Sequence, residues 1–258
     1  GGSPLWFLAT ILMPSQSNSR VIKRIFSQIS RSCEELGVAY CGGHTEVTTS
    51  VNIPVVVGHM LGEVTRDHLK PTSGARDGDD LVMTKSAAIE ATAIIALEKA
   101  KELETSFPKN FIRKAQHYLH KPGISVVKEA MLLKNIPGVH AFHDPTEGGL
   151  GTGIYEMARA SGLGVEVYAD RIPLTEETRR LCEYCRIDPL GAFASGSLLI
   201  AVSPTTTEKA ITKLLKAGVP ATRIGRMVQK NKGMKLIKGP RKLELPVFHQ
   251  DELSKTFG

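Results

Sequence analysis

Apolar positions along this chain follow two rhythms, and the changes between them lay out its elements. Leu5 to Leu12 is a nearly continuous apolar run of strand length. From about Asn18 to Leu36 the spacing becomes helical. Val21, Ile22, Ile25, Phe26, Ile29, Cys33 and Leu36 line one face of a predicted helix that Gly37 ends. A short apolar run, Val38 to Cys41, stops at the loop-like Gly42-Gly43-His44-Thr45-Glu46, and a β-rich run, Val51 to Val57, continues through Gly62. Arg66 to Asp80 holds Pro71, Gly74, Gly78 and four aspartates, and reads as an interdomain linker.

Beyond it the pattern restarts. A strand (Leu81 to Thr84) meets Ser86 as a helix cap, and an alanine-rich helix extends to about Leu103. Two amphipathic helices fill Lys109 to Asn135, and an apolar run, Val139 to Phe142, follows. After it come a helix, a strand (Val165 to Tyr168) and a helix from about Thr175 to Arg186. The chain continues with a strand (Ser197 to Val202), a helix (Thr207 to Ala217) and a basic hairpin. Strands and helices mix without strict alternation, which predicts an α+β fold. The expected division is an N-terminal domain over residues 1–66 and a C-terminal domain over 67–258.

The most informative stretch is His143-Asp144-Pro145-Thr146-Glu147-Gly148-Gly149-Leu150. An acid ends an apolar run, a proline halts it, and two glycines open a helix whose apolar face is Leu150, Ile154, Met157 and Ala158. A carboxylate beside a helix N-terminus suits an Mg-nucleotide, the acid holding the metal while free backbone N–H groups face phosphate oxygens. The same residues also describe an Asx-Pro turn followed by glycines that serve tight packing.

Composition narrows the classes. Hydrophobic content of 41% and charged content of 23% are those of an ordinary soluble domain, and the net charge of +7 fits an anionic ligand without requiring one. Six basic residues crowd into Lys230 to Lys242, but without aromatic stacking residues they read as a solvated hairpin rather than a nucleic-acid surface. Cys182-x-x-Cys185 lies within a predicted helix and lacks the partners of a zinc site, so two buried thiols are expected. The nine-residue run Leu5 to Met13 is too short to span a bilayer and has no basic leader. The expected setting is soluble and cytoplasmic.

The order of motifs resembles a known family. Gly42-Gly43-His44-Thr45-Glu46 resembles the Gly-Gly-x-(Thr/Ser) segment of the aminoimidazole-ribonucleotide synthetase (PurM) superfamily, and Gly78 to Lys85 resembles the entry to its second domain. Asp144 to Leu150 resembles the Asp-Pro-Thr-Arg-Gly-Gly-Leu of the HypE-like, hydrogenase-maturation branch, with Glu147 where arginine is usual. Ile172-Pro173-Leu174, Asp188-Pro189-Leu190 and Ser195 to Leu199 are similar to segments of the same branch, and Asp251-Glu252-Leu253 is a weaker echo.

The resemblance implies a PurM-like N-terminal domain, truncated here, followed by a PurM-like C-terminal domain packed over a nucleotide cleft. It implies a homodimer, ATP and Mg²⁺ as cofactors, and phosphorylation of an oxygen or selenium nucleophile, often an amide oxygen of a small-molecule or carrier-bound substrate. On matched positions, Asp144 is the catalytic and metal-holding candidate and Glu46 a second metal candidate. Gly42, Gly43, His44, Thr45 and Glu46 would line the cleft, Lys85 would contact phosphate, and Gly148 and Gly149 would permit close backbone approach.

Two departures qualify this. Family members carry an aspartate-bearing segment ahead of the position matching Gly1, so the chain as given is expected to be inactive alone. The HypE-like branch ends in a reactive cysteine, whereas no cysteine follows Cys185. The rival reading is a dimeric binding or scaffold protein that kept the fold and lost catalysis. No membrane partner is expected, and nucleic acid is disfavoured. Three residues keep a structural alternative open: His143 as a turn histidine, Glu147 as a favourable charge at a helix start, and Lys85 as a solvated side chain.

Overall fold

The computed structural model describes residues 1–257. The chain divides into one unit over Gly2–Leu69 and a second from Lys70 onward that also takes in Gly1.

The N-terminal unit is a three-stranded sheet with one helix. Strand β1 (Ser3–Pro14) lies between β2 (Ala39–Thr48), parallel to it, and β3 (Val55–Glu63), antiparallel, and α1 (Ser19–Leu36) connects β1 to β2. Alternate β1 residues Ala9, Ile11 and Met13 are buried against Ile22, Ile25, Phe26 and Ile29, so the strand and helix periods share one apolar seam. The Asn18 side chain caps α1 by accepting the Arg20 N–H at 2.8 Å. Gly37, at φ 66°, ends it while Val38 N–H returns to Cys33 O at 2.8 Å.

The glycine pair expected in a loop is instead inside β2. Cys41 is an extra residue opposite the Phe7/Leu8 step, and Gly42 and Gly43 resume the pairing with Leu8 and Ala9. A β-carbon at Gly43 would sit 1.9 Å from Ala9 O, so this glycine lets two backbones approach.

The C-terminal unit is built on a seven-stranded sheet. In chain order its strands are β4 (Asp80–Thr84), β5 (Val139–His143), β6 (Gly164–Tyr168), β7 (Leu199–Val202), β8 (Ala221–Val228), β9 (Met234–Lys238) and β10 (Arg241–Glu244). Their spatial order is β10-β9-β6-β8-β4-β7-β5, antiparallel except where β6 pairs with β9. Helices α2 (Ile89–Glu98), α3 (Ala100–Leu103), α4 (Lys109–Gln116), α5 (Val127–Leu133), α6 (Gly149–Ala160), α7 (Glu176–Cys185), α8 (Thr207–Lys216) and α9 (Ser254–Phe257) complete it.

Leu150, Ile154, Met157 and Ala158 of α6 pack on one sheet face with Leu81, Met83, Val165, Val167 and Leu199. Leu133 of α5 and Ala210 and Leu214 of α8 pack on the other with Val82, Ile200 and Val202. Strand β4 is therefore buried on both faces, which explains its unbroken apolar run. Burying each of its large side chains contributes roughly 1.5–3 kcal/mol.

Three expectations change here. Strand β8, absent from the sequence reading, lies between β6 and β4. Its alternation is broken by a bulge opposite Leu81/Val82 and by Gly225, where a β-carbon would meet Glu166 O at 2.3 Å. The supposed linker ends in built structure. Asp79 pairs with His140 at 2.8 Å, and Asp80 is held by Arg223 at 2.7 Å and by Thr207 Oγ1 at 2.7 Å. Ser86 does not cap α2; its hydroxyl donates to Pro173 O, and Ala88 precedes the helix at φ 52°.

Helix α7 starts at a Thr175 cap and ends at Arg186, at φ 57°. Its Cys182 is buried, and burial pushes that thiol up to about 12, so it is chemically quiet; Cys185 is half-buried. Glu177 of the same helix is buried and accepts from Tyr118 Oη at 2.6 Å and Lys114 Nζ at 2.6 Å. The Tyr118 hydroxyl is pushed up from 10.0 to about 12, first by burial and then by its bond to Glu177.

This packing generates three predictions. A β-carbon at Gly37 would meet nothing within 4 Å, so Gly37→Ala adds only backbone strain, about 1 kcal/mol by urea unfolding. Gly43→Ala drives β1 from β2, and circular dichroism should show loss of the folded N-terminal unit. The buried phenol disfavours its anion in the folded state, so stability is intact below pH 10 and falls as pH rises toward about 12. Tyr118→Phe should remove that part of the alkaline loss while costing roughly 1–3 kcal/mol at neutral pH, because Glu177 loses a donor. Urea unfolding across that pH range measures both.

Candidate functional site

The turn from β5 into α6 is the best-defined candidate site. Pro145 is buried against the bare Cα of Gly153, where a β-carbon would lie 2.5 Å from its own Cβ. Asp144 stands just outside that contact. It is exposed, and its carboxylate makes no hydrogen bond or ion pair among the described residues. His143 is half-buried, and both of its ring nitrogens have partners: Nδ1 faces Thr72 Oγ1 at 3.2 Å and Nε2 faces Glu156 Oε2 at 3.0 Å. Neither partner is visible from neighbouring sequence, since Thr72 is remote and Glu156 lies on a different turn of α6.

Gly148 precedes α6 at φ 75° and Gly149 opens it at φ 69°. The helix start was expected to offer free N–H groups to phosphate. The structure commits most of them internally. Gly148 N–H donates to Asp251 Oδ2 at 3.0 Å, Gly149 N–H to Thr146 O at 3.2 Å, and Gly151 N–H to Leu190 O at 2.8 Å. The capping carboxylate thus comes from the chain's own C-terminal segment.

The close approach assigned to a ligand is likewise made by protein. A β-carbon at Gly149 would meet Leu190 O at 2.4 Å, and one at Gly148 would meet Phe248 O at 3.0 Å. Burial raises the Asp251 carboxyl above its usual range, against the pull of its backbone N–H donors. Beside the turn opens a cavity of about 590 Å³, walled by Glu147, Phe193, Phe248, Asp251 and Phe257 among others; Asp144 does not line it.

Lys85 is neither solvated nor free for phosphate. Its ammonium pairs with Glu129 at 2.7 Å and donates to Ser125 O at 2.7 Å and Gly123 O at 3.3 Å. Both paired side chains are buried, at 7% and 1% exposure. Residues Gly42 to Glu46, being strand, cannot all face one way. His44 and Glu46 share a face and lie 3.6 Å apart, whereas Thr45 sits opposite Ile11 on the other face; all three are exposed. Among the described residues no group of three or more His, Cys, Asp or Glu could hold a metal, so neither Asp144 nor Glu46 belongs to a ready-made protein metal cluster. No helix among the described residues is long and apolar enough to cross a membrane.

Family models match both units: AIR synthase related protein, N-terminal domain, over residues 1–64, and AIR synthase related protein, C-terminal domain, over residues 76–236. The chain belongs to the AIR synthase-related family. Its two domains are PurM-like, and HypE-type proteins are among those it is similar to. A putative hydrogenase expression/formation protein of Methanocaldococcus jannaschii is 25% identical over 251 residues, covering 96% of this chain and 72% of that protein. Carbamoyl dehydratase HypE of Cupriavidus necator is 26% identical over 234 residues, covering 89% of this chain and 63% of the relative. The crystal structure of a hydrogenase maturation protein HypE in complex with ATP superposes with a TM-score of 0.80 at 19% identity, over 98% of this chain and 76% of that one. The AIR synthase-related chain thus spans 72%, 63% and 76% of the lengths of these three proteins.

The buried Lys85–Glu129 pair gives a test. Lys85→Met should cost about 3–5 kcal/mol by leaving Glu129 buried and unpaired. Adding Glu129→Leu should recover most of it in chemical denaturation. If Lys85 also touches nucleotide, the recovered double variant will lose nucleotide binding; intact binding assigns the lysine to structure alone.

Proposed function

We propose that the protein is an ATP-dependent enzyme of the HypE type, which uses Mg-ATP to activate an amide oxygen of a small-molecule or carrier-bound substrate. Family membership supports this, as does the relative named carbamoyl dehydratase and the related HypE solved with ATP. The observation that carries it is the Asp144 carboxylate, which follows β5 with both oxygens unengaged, in the turn that leads into α6. A free carboxylate there can accept a hydrated cation or a substrate N–H without breaking any existing bond. Mg²⁺, when bound with nucleotide, supplies charge neutralisation on the phosphate oxygens, and Asp144 would hold it. His143, held between Thr72 and Glu156, fixes the end of the strand from which Asp144 projects.

In the whole protein, Asp144→Asn should lower Mg-dependent ATP turnover roughly 100-fold, a typical effect of removing one transition-state electrostatic contact. Its unfolding midpoint should not move, because Asp144 is exposed and unpaired. Unchanged turnover would remove this carboxylate from the reaction.

A second reading, a binding or scaffold protein of the same fold, is favoured by the α6 start, whose Gly148, Gly149 and Gly151 N–H groups are already engaged. Calorimetry with ATP, with and without Mg²⁺, separates the two, since a scaffold gives no metal-dependent nucleotide heat.

Pairing of two copies through the N-terminal sheet is part of the proposal. Trp6, Val57 and Leu61 support it: they lie on the face away from α1 and are 40%, 58% and 44% exposed. A reducing, cytoplasmic setting is supported by the four cysteines, all free.

A further inference from the structure

The cavity beside the β5–α6 turn has a composition at odds with the rest of the chain. The protein carries 33 lysines and arginines, yet none lines this space, where His249 is the one basic side chain. Its acidic side chains are Glu147 and Asp251, and three of the chain's eight phenylalanines, Phe193, Phe248 and Phe257, form its walls. Its volume of about 590 Å³ is that of a small-molecule site.

The walls are fixed in advance. The Phe248 ring lies over Gly191, where a β-carbon would come within 2.4 Å of it, and Phe248 N–H donates to Thr152 Oγ1 at 3.0 Å. Asp251 is equally fixed, its oxygens accepting from Gly148 N–H at 3.0 Å and Leu253 N–H at 2.9 Å. Glu147 differs: it is exposed and has no hydrogen bond or ion pair among the described residues. An uncommitted carboxylate and aromatic rings lining one cavity are a combination that attracts a cation, since the ring quadrupole and the acid act with the same sign. One of these rings already shows the preference, with Lys99 Nζ 5.8 Å from the Phe257 centroid. A metal ion is disfavoured, because no three ligating side chains converge here.

We propose that this cavity binds a small organic cation, an amine or amidine on an apolar body, with Glu147 facing the charge and the three phenylalanines packing the body. The assignment rests on the C-terminal unit alone and does not depend on ATP chemistry at Asp144.

Benzamidine is the probe and benzamide, of nearly the same shape without the charge, its control; both are titrated calorimetrically into the whole protein. Benzamidine should bind at least tenfold more tightly than benzamide. Glu147→Gln should abolish that preference while leaving benzamide affinity and the unfolding midpoint unchanged. Phe193→Ala should weaken both ligands. Equal affinity for the two, a charge preference that survives Glu147→Gln, or no binding of benzamidine at millimolar concentration would each overturn the proposal. None of these readouts requires nucleotide, so an absence of ATP turnover leaves the result intact.

Discussion

Helix α6 carries no side chain at positions 149, 151 and 153, and a different part of the chain occupies each vacancy. The carbonyl of Leu190 and the start of Ala192 press on Gly149, Pro246 O on Gly151, and Pro145 on Gly153. A single methyl group at any of these places would overlap backbone or a ring that cannot move independently. The helix can therefore be gripped on three sides while its remaining face, Leu150 to Ala158, stays on the sheet. The β5–α6 turn, the C-terminal segment and the loop after α7 are one assembly because of that close fit.

The electrostatics follow from the packing. Bringing the C-terminal segment against α6 places Asp251 over the helix start, where its carboxylate satisfies a donor that solvent or a ligand would otherwise meet. Glu147 and Asp144 stand exposed in the same turn, without a hydrogen bond or ion pair among the described residues. The unit thus gathers acids at one corner of a basic protein. Whatever acts there meets carboxylates, not a bare cradle of amides.

Much of this was readable in the residues. The seam of α1 and the core face of α6 followed from spacing alone, because each helix buries a stripe that its own period defines. Asp144 stood out as a candidate because a proline and two glycines follow it. What stayed hidden depended on distant pairing. Strand β8 escaped because its bulge and Gly225 break the alternation that marks a strand. The glycines at 42 and 43 looked like a loop, since nothing local shows that a neighbouring backbone needs the room. Thr72 and Glu156 around His143, Asp251 over Gly148, and Glu129 beside Lys85 are partners that only the folded chain brings together.

The basic hairpin has a meaning that charge counting does not supply. Strand β10 is the outermost member of the large sheet, and its residues Arg241 to Glu244 are all exposed. Such a border leaves amide and carbonyl groups unpaired, an invitation for a stray strand from another molecule to add on. Lys235 and Lys242 reach sideways to Glu244 and Glu166, while Lys238 and Arg241 flank the tip of the hairpin. With two of these four cations paired to glutamates, Lys238 and Arg241 are the charges left at the tip of the hairpin to disfavour such an addition.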